Sequence, residues 1–124
     1  MNNLIAIALG GAFGALGRFG TSHWVYETFG RSFPYGTLAV NVLGSFVMGL
    51  LTILLVDRFN ATPEVRGFML IGFLGAYTTF STFSIETLNL INHGDMLRAG
   101  LNMVISVSVC VTACWLGMIL GRQV

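Results

Sequence analysis

Gly75-Ala76-Tyr77-Thr78-Thr79-Phe80-Ser81-Thr82-Phe83-Ser84 is the stretch whose reading decides the fold. It sits inside a segment, residues 67–91, that is otherwise apolar enough to cross a bilayer, yet five of its ten residues are Ser or Thr. In hydrocarbon each hydroxyl must find a partner, so a membrane helix does not set this many side by side against lipid. The stretch therefore faces protein or water. It reads as a break in a helix, with a short run of exposed backbone at membrane depth, an arrangement tolerated where it lines an ion or substrate path.

Around that stretch the chain is 124 residues long, 55% hydrophobic and 9% charged, whereas soluble domains carry about 25% charged residues. Its apolar residues fall into four spans at about 4–26, 36–56, 67–91 and 99–120. The second is 21 uncharged residues, roughly 31 Å as a helix and enough for the hydrocarbon core. The expected fold is an all-α membrane protein of four transmembrane helices, the third broken mid-membrane, with residues 1–124 forming one channel-sized domain. The net charge is +1 and every basic residue is Arg, with no basic run, so nothing points to nucleic acid. Met1-Asn2-Asn3 lacks the positive start of a signal peptide, and the first span is expected to be retained. Cys110 and Cys114 share a helix face with too few nearby ligands for a metal and read as small packing residues.

The polar residues inside the spans are the candidates for function. Gly10 and Gly14 have the spacing that lets helix backbones approach closely. Arg18 either snorkels to an interface or points into protein, and the pattern leaves both open. His23 reads as a bystander. Trp24, Tyr26, Phe29, Phe33 and Tyr35 read as an aromatic belt around the first loop. Thr37, Asn41 and Ser45 recur every four residues and share a face; Asn41 is either helix–helix glue or part of a polar pathway. Residues 57–66 read as a polar loop. Beyond the break, a half-helix from about Thr79 would carry Phe80, Phe83 and Glu86 as a stripe. Its positive dipole end would favour an anion, a preference that Glu86 opposes unless it is hydrogen-bonded, protonated or displaced. In the last span Asn102, Ser106 and Cys110 share a face.

Four spans place both termini and the second loop on one side. That side then holds Arg58, Arg66 and Arg122, and the other holds Arg31 and Arg98. This is almost no bias, so the positive-inside rule assigns no orientation. One reading is insertion both ways and pairing as an antiparallel homodimer, which would set two copies of the break back to back. The other is a single orientation set by a weak signal such as loop length.

From Gly75 to Glu86, carried by the Thr-Thr-Phe-Ser-Thr-Phe-Ser run, the sequence resembles the Fluc (CrcB-type) fluoride channels. Gly36-Thr37-Leu38 with Val40-Asn41 matches too, as do the Gly-rich first span with Arg18 and the four-span layout. The resemblance implies a dual-topology homodimer in the bacterial cell inner membrane, with two antiparallel pores through which fluoride leaves the cytoplasm passively. It implies a structural Na⁺ at the dimer centre, held by backbone carbonyls at the positions of Gly75 and Thr78; carbonyl oxygens suit a hard cation. Phe80 and Phe83 match the two pore phenylalanines, whose electropositive ring edges an anion can approach. From spacing alone, the pair reads as packing. Asn41, Ser81, Thr82 and Ser106 are expected to donate hydrogen bonds to the ion as its water is removed. Thr37 is expected in a vestibule or the lining, Glu86 at the polar track, and Arg18 as an attractor of anions to the pore mouth. Asn102 stands where some members have Tyr, and Cys110 where some have Ser, which makes this wall the part of the pore that the resemblance defines least.

Two other functions compete. A proton-coupled small multidrug transporter needs a membrane-embedded carboxylate in its first span, where this chain has Arg18 and none. A non-transport structural protein would use the same polar residues only as glue. No nucleophile–base pair, metal cluster or P-loop is present in the sequence, so no enzyme is expected.

Overall fold

The structure, a computed structural model, describes residues 2–124. Its elements are α1 (Asn2–Phe29), α2 (Tyr35–Arg58), α3 (residues 63–77), α4 (Phe80–Asn92) and α5 (Met96–Gln123). α3 and α4 follow one another along a single membrane-length segment, Pro63–Asn92. Among the described residues this makes four stretches long and apolar enough to cross a membrane.

The helices run past the apolar spans at their ends because polar residues there serve as caps. Thr62 accepts a hydrogen bond from the Val65 N–H at 3.3 Å, with Pro63 in the first helical position, a pairing that pre-forms a helix start. Asp95 accepts from the Arg98 N–H at 3.3 Å and starts α5. The polar loop expected over residues 57–66 is correspondingly shorter: only residues 59–62 lie outside helices. Asp57 and Arg58 belong to the last turns of α2, where Ile53–Arg58 is wound as a π-helix. From there the Arg58 guanidinium donates to the carbonyls of Gly121 at 3.4 Å and Arg122 at 2.9 Å. It thereby satisfies orphan carbonyls at the end of α5 and places a positive charge at the negative pole of that helix.

Two helix pairs carry the packing, α2 with α5 and α1 with α3. Both are built on small residues. A Cβ at Gly49 would run into the Cys114 carbonyl oxygen of α5, and one at Gly14 would run into the Phe73 carbonyl oxygen of α3. Backbones this close are what Gly-containing interfaces achieve when the surroundings offer helices no hydrophobic drive to associate. The stretch of α3 that meets α1, Gly67–Leu74, is also wound as a π-helix, a form that appears as local bulges and often near functional sites. The fully buried side chains are few, with Val40, Leu74 and Asn102 the largest. Leu16, Phe19, Val111 and Trp115 lie on the outside, as expected for helices whose solvent is lipid.

Candidate functional site

The site is organised around Thr78 and Thr79, which interrupt the helical hydrogen bonding between α3 and α4. Thr78 has φ −89° and ψ 157°, and Thr79 has φ −151° and ψ 120°. In a continuous helix the Thr79 N–H would bond the Gly75 carbonyl. Here it donates to Asn41 Oδ1 at 2.8 Å, while Asn41 Nδ2 donates to the Thr79 carbonyl at 3.0 Å. The Thr82 N–H, which would bond the Thr78 carbonyl, donates to Thr79 Oγ1 at 3.2 Å and caps α4. The carbonyls of Gly75 and Thr78 are thereby released from their helical donors. Ala76 is treated differently: its carbonyl accepts from Arg18 Nε at 2.9 Å. Arg18, half-buried, is thus turned into the protein against the end of α3.

A cleft of about 300 Å³ opens beside this segment. α2 contributes Asn41 and Ser45, the interruption Thr78 and Thr79, α4 the rings of Phe80 and Phe83, and α5 Ser106, Val107, Cys110 and Val111. The two rings lie 5.3 Å apart, tilted by 39°. Phe83 is buried, 9% exposed, whereas Phe80 at the mouth is 75% exposed. Asn41, Phe80, Phe83 and Ser106 are therefore brought together. Ser81 and Thr82 lie at the first turn of α4, within the hydroxyl cluster of Thr79 (3.3 Å to Ser81 Oγ, 3.1 Å to Thr82 Oγ1), and outside the cleft wall.

Glu86 and Thr37 belong to a different place. A second cleft, about 290 Å³, is lined by Tyr26, Arg31, Ser32, Pro34, Glu86, Asn89, Leu90, His93 and Asp95. Tyr26 donates its hydroxyl proton to Glu86 Oε2 at 2.9 Å, and its oxygen lies 3.4 Å from both Thr37 Oγ1 and the Thr37 N–H. The Arg31 guanidinium sits 4.5 Å from the centre of the Tyr26 ring, a cation–π contact. The two clefts follow one another along α4, Phe80 and Phe83 on the first and Glu86, Asn89, Leu90 and His93 on the second, so one helix face serves both.

Sequence reasoning missed Tyr26 and Thr87. Tyr26 reads as an interfacial aromatic, and nothing in the spacing ties it to Glu86, 60 residues away. Thr87 is one more hydroxyl in a Ser/Thr-rich helix, yet it is buried and accepts from Asn102 Nδ2 at 2.8 Å. Among the described residues, no group of three or more His, Cys, Asp or Glu side chains is placed to hold a metal ion. Oxygen atoms at this site come from the backbone carbonyls freed at the interruption and from the hydroxyl and amide groups of Asn41, Ser45, Thr78, Thr79 and Ser106.

Fold and site together define a multi-pass helical membrane protein with an interrupted segment and a part-polar, aromatic-lined cleft beside it. Residues 5–118 match the profile of the CrcB-like protein, camphor resistance (CrcB), family, and the chain belongs to that family. It is 54% identical over 121 residues to a protein of Methylococcus capsulatus described as the fluoride-specific ion channel FluC, an alignment covering 98% of this chain and 53% of that protein. Proteins with the same description from Hydrogenovibrio crunogenus and Coxiella burnetii are 51% and 47% identical, covering 97% and 98% of this chain and 91% and 98% of theirs. The chain thus spans about half the length of the Methylococcus relative and nearly all of the other two.

Proposed function

We propose that this protein is a fluoride-specific ion channel that drains fluoride passively from the cytoplasm across the cell inner membrane. One observation carries the reading: the cleft of Asn41, Phe80, Phe83 and Ser106 occurs in a chain about half identical to proteins described as such channels. Its chemistry suits a small anion. Ring edges are electropositive, so an anion is held in the ring plane by weak contacts that do not trap it. Amide and hydroxyl groups replace part of its hydration, and α4 begins beside the cleft with the positive pole of its dipole. Fluoride that enters as neutral HF ionises inside and is trapped there. An anion path releases it, aided by roughly 2.3 kcal/mol per charge for each 100 mV of negative-inside potential.

The active form in this reading is an antiparallel homodimer with dual topology. The support is geometric: Phe80, 75% exposed, leaves the cleft open on one side of a single chain, and a second copy would close it with the interruptions at mid-membrane and back to back. The carbonyls of Gly75 and Thr78, deprived of helical donors by Asn41 and Thr79, fit a structural Na⁺, a hard cation served by oxygen ligands. When bound, such an ion supplies a fixed positive charge beside the path. Arg18 serves the same region by holding the Ala76 carbonyl, and residues 1–124 act as one channel domain. The Glu86 cleft is the polar track at the far end of α4. Ser81 and Thr82, at the start of α4, meet the ion on its approach.

The test is fluoride efflux from liposomes holding the purified protein, with chloride efflux measured in parallel and Phe80→Ile as the variant. Fast fluoride loss, no chloride loss and a blocked variant are expected. Absence of fluoride flux from folded protein in Na⁺ would overturn the reading and return attention to multidrug transport, assayed with lipophilic cations, or to a purely structural role.

A further inference from the structure

Behind the first cleft, three side chains form a directed hydrogen-bond relay. The Thr87 hydroxyl lies 2.7 Å from the Phe83 carbonyl oxygen. Two oxygens that close require a proton between them, and a carbonyl cannot supply it, so Thr87 donates. Having spent its only proton, Thr87 can only accept from Asn102, which therefore presents its NH₂ at 2.8 Å. That orientation turns Asn102 Oδ1 toward Ser106, whose hydroxyl donates to it at 3.2 Å. Asn102 is 2% exposed, Thr87 6% and Ser106 7%, so water does not compete for these bonds. Ser106 is nevertheless part of the cleft wall.

The consequence concerns Ser106. In the relay its one proton points away from the cleft, and the oxygen it presents there offers lone pairs. An anion gains a hydrogen bond from Ser106 only by taking that proton from Asn102. We infer that Asn102 and Thr87 are positioning residues that weaken anion binding at Ser106 by competing for its proton, and so keep occupancy of the cleft short. The inference rests on the proposed passage of fluoride through this cleft. It assigns a role to Asn102 that differs from direct contact with the ion. It also adds a condition to the expectation that Ser106 donates to the ion: the hydroxyl does so at the cost of its bond to Asn102. Weak, quickly released binding is what conduction needs.

The measurement is fluoride current or efflux over a range of fluoride concentrations, with thermal unfolding of each variant alongside. Asn102→Leu removes the acceptor and frees the Ser106 proton. Thr87→Val lets the Asn102 amide turn its NH₂ toward Ser106, which frees the same proton with Asn102 in place. Both variants are expected to lower the half-saturating fluoride concentration by about three- to tenfold, the worth of one hydrogen bond, and to lower the maximal flux. In a Ser106→Ala background the same substitutions are expected to shift it less than about twofold. Two variants that lose thermal stability yet leave half-saturation unchanged, or that act equally with and without the Ser106 hydroxyl, would overturn the relay while leaving the channel reading intact. A wild-type protein that passes no fluoride would overturn the channel reading, and the inference with it.

Discussion

At Asn41 one carboxamide replaces two backbone partners of Thr79: Oδ1 accepts from its N–H at 2.8 Å, and Nδ2 donates to its carbonyl at 3.0 Å. Without it, both groups would be left unpaired where neither lipid nor close-packed helix can serve them. Asn41→Leu is therefore expected to destabilise the protein by about 1–3 kcal/mol, read as a lower unfolding temperature in detergent. An unchanged temperature would show that the interruption holds itself. That Asn41 matters was legible in the sequence, because an amide inside an apolar span demands a partner. Its partner was not, since the Thr79 backbone is 38 residues away and becomes available only once the helical pattern is interrupted. Phe83 and Phe80 differ in the same way. Their spacing put both on one face of α4, but only the assembled fold makes one a buried wall and the other an exposed rim.

Among the helices, contact is governed by where Cβ atoms are missing. Gly14 of α1 faces the Phe73 backbone of α3, whereas Gly20 on the same helix has nothing within 4 Å of where its Cβ would stand. Gly14→Ala should thus force α1 and α3 apart and destabilise by about 1–3 kcal/mol. Gly20→Ala should be neutral or stabilising by up to about 1 kcal/mol through helix propensity. Thermal unfolding of the two variants side by side checks this, and equal effects would mean that α1 packs on α3 through another face. The Gly10/Gly14 spacing announced a close helix contact but not its partner. Nor did composition announce the π-wound stretches, Ile53–Arg58 at the end of α2 and Gly67–Leu74 within α3, because an added residue in a turn leaves no mark on an apolar run. The caps at Thr62 and Asp95 have the residue types that favour helix starts, yet Thr62 lies in a stretch, residues 57–66, whose polar composition reads as plain loop.

For the whole molecule, the near-balance of Arg between the two sides leads to a prediction about orientation. In a background with Cys110→Ser and Cys114→Ser, Ser32→Cys on the exposed loop between α1 and α2 should react with a membrane-impermeant thiol reagent in about half the copies from each side of the membrane. Complete reaction from one side alone would sink dual topology, while the cleft and its chemistry would stand. Sequence alone determined that the chain is apolar, helical and membrane-spanning, that its third segment is exceptional at Thr78–Ser84, and which family it resembles. These properties follow from the local cost of polar groups in hydrocarbon and from the periodicity of the chain, both of which are written residue by residue. The tertiary structure decided what cannot be written that way. It joined Asn41 to Thr79, turned Arg18 onto Ala76, gave Glu86 to Tyr26 in a separate cleft, and set Asn102 behind Ser106. Each of these depends on which helix faces meet at what depth, and a hydrogen bond, unlike apolar burial, exists only when two particular groups arrive within about 3 Å and in line.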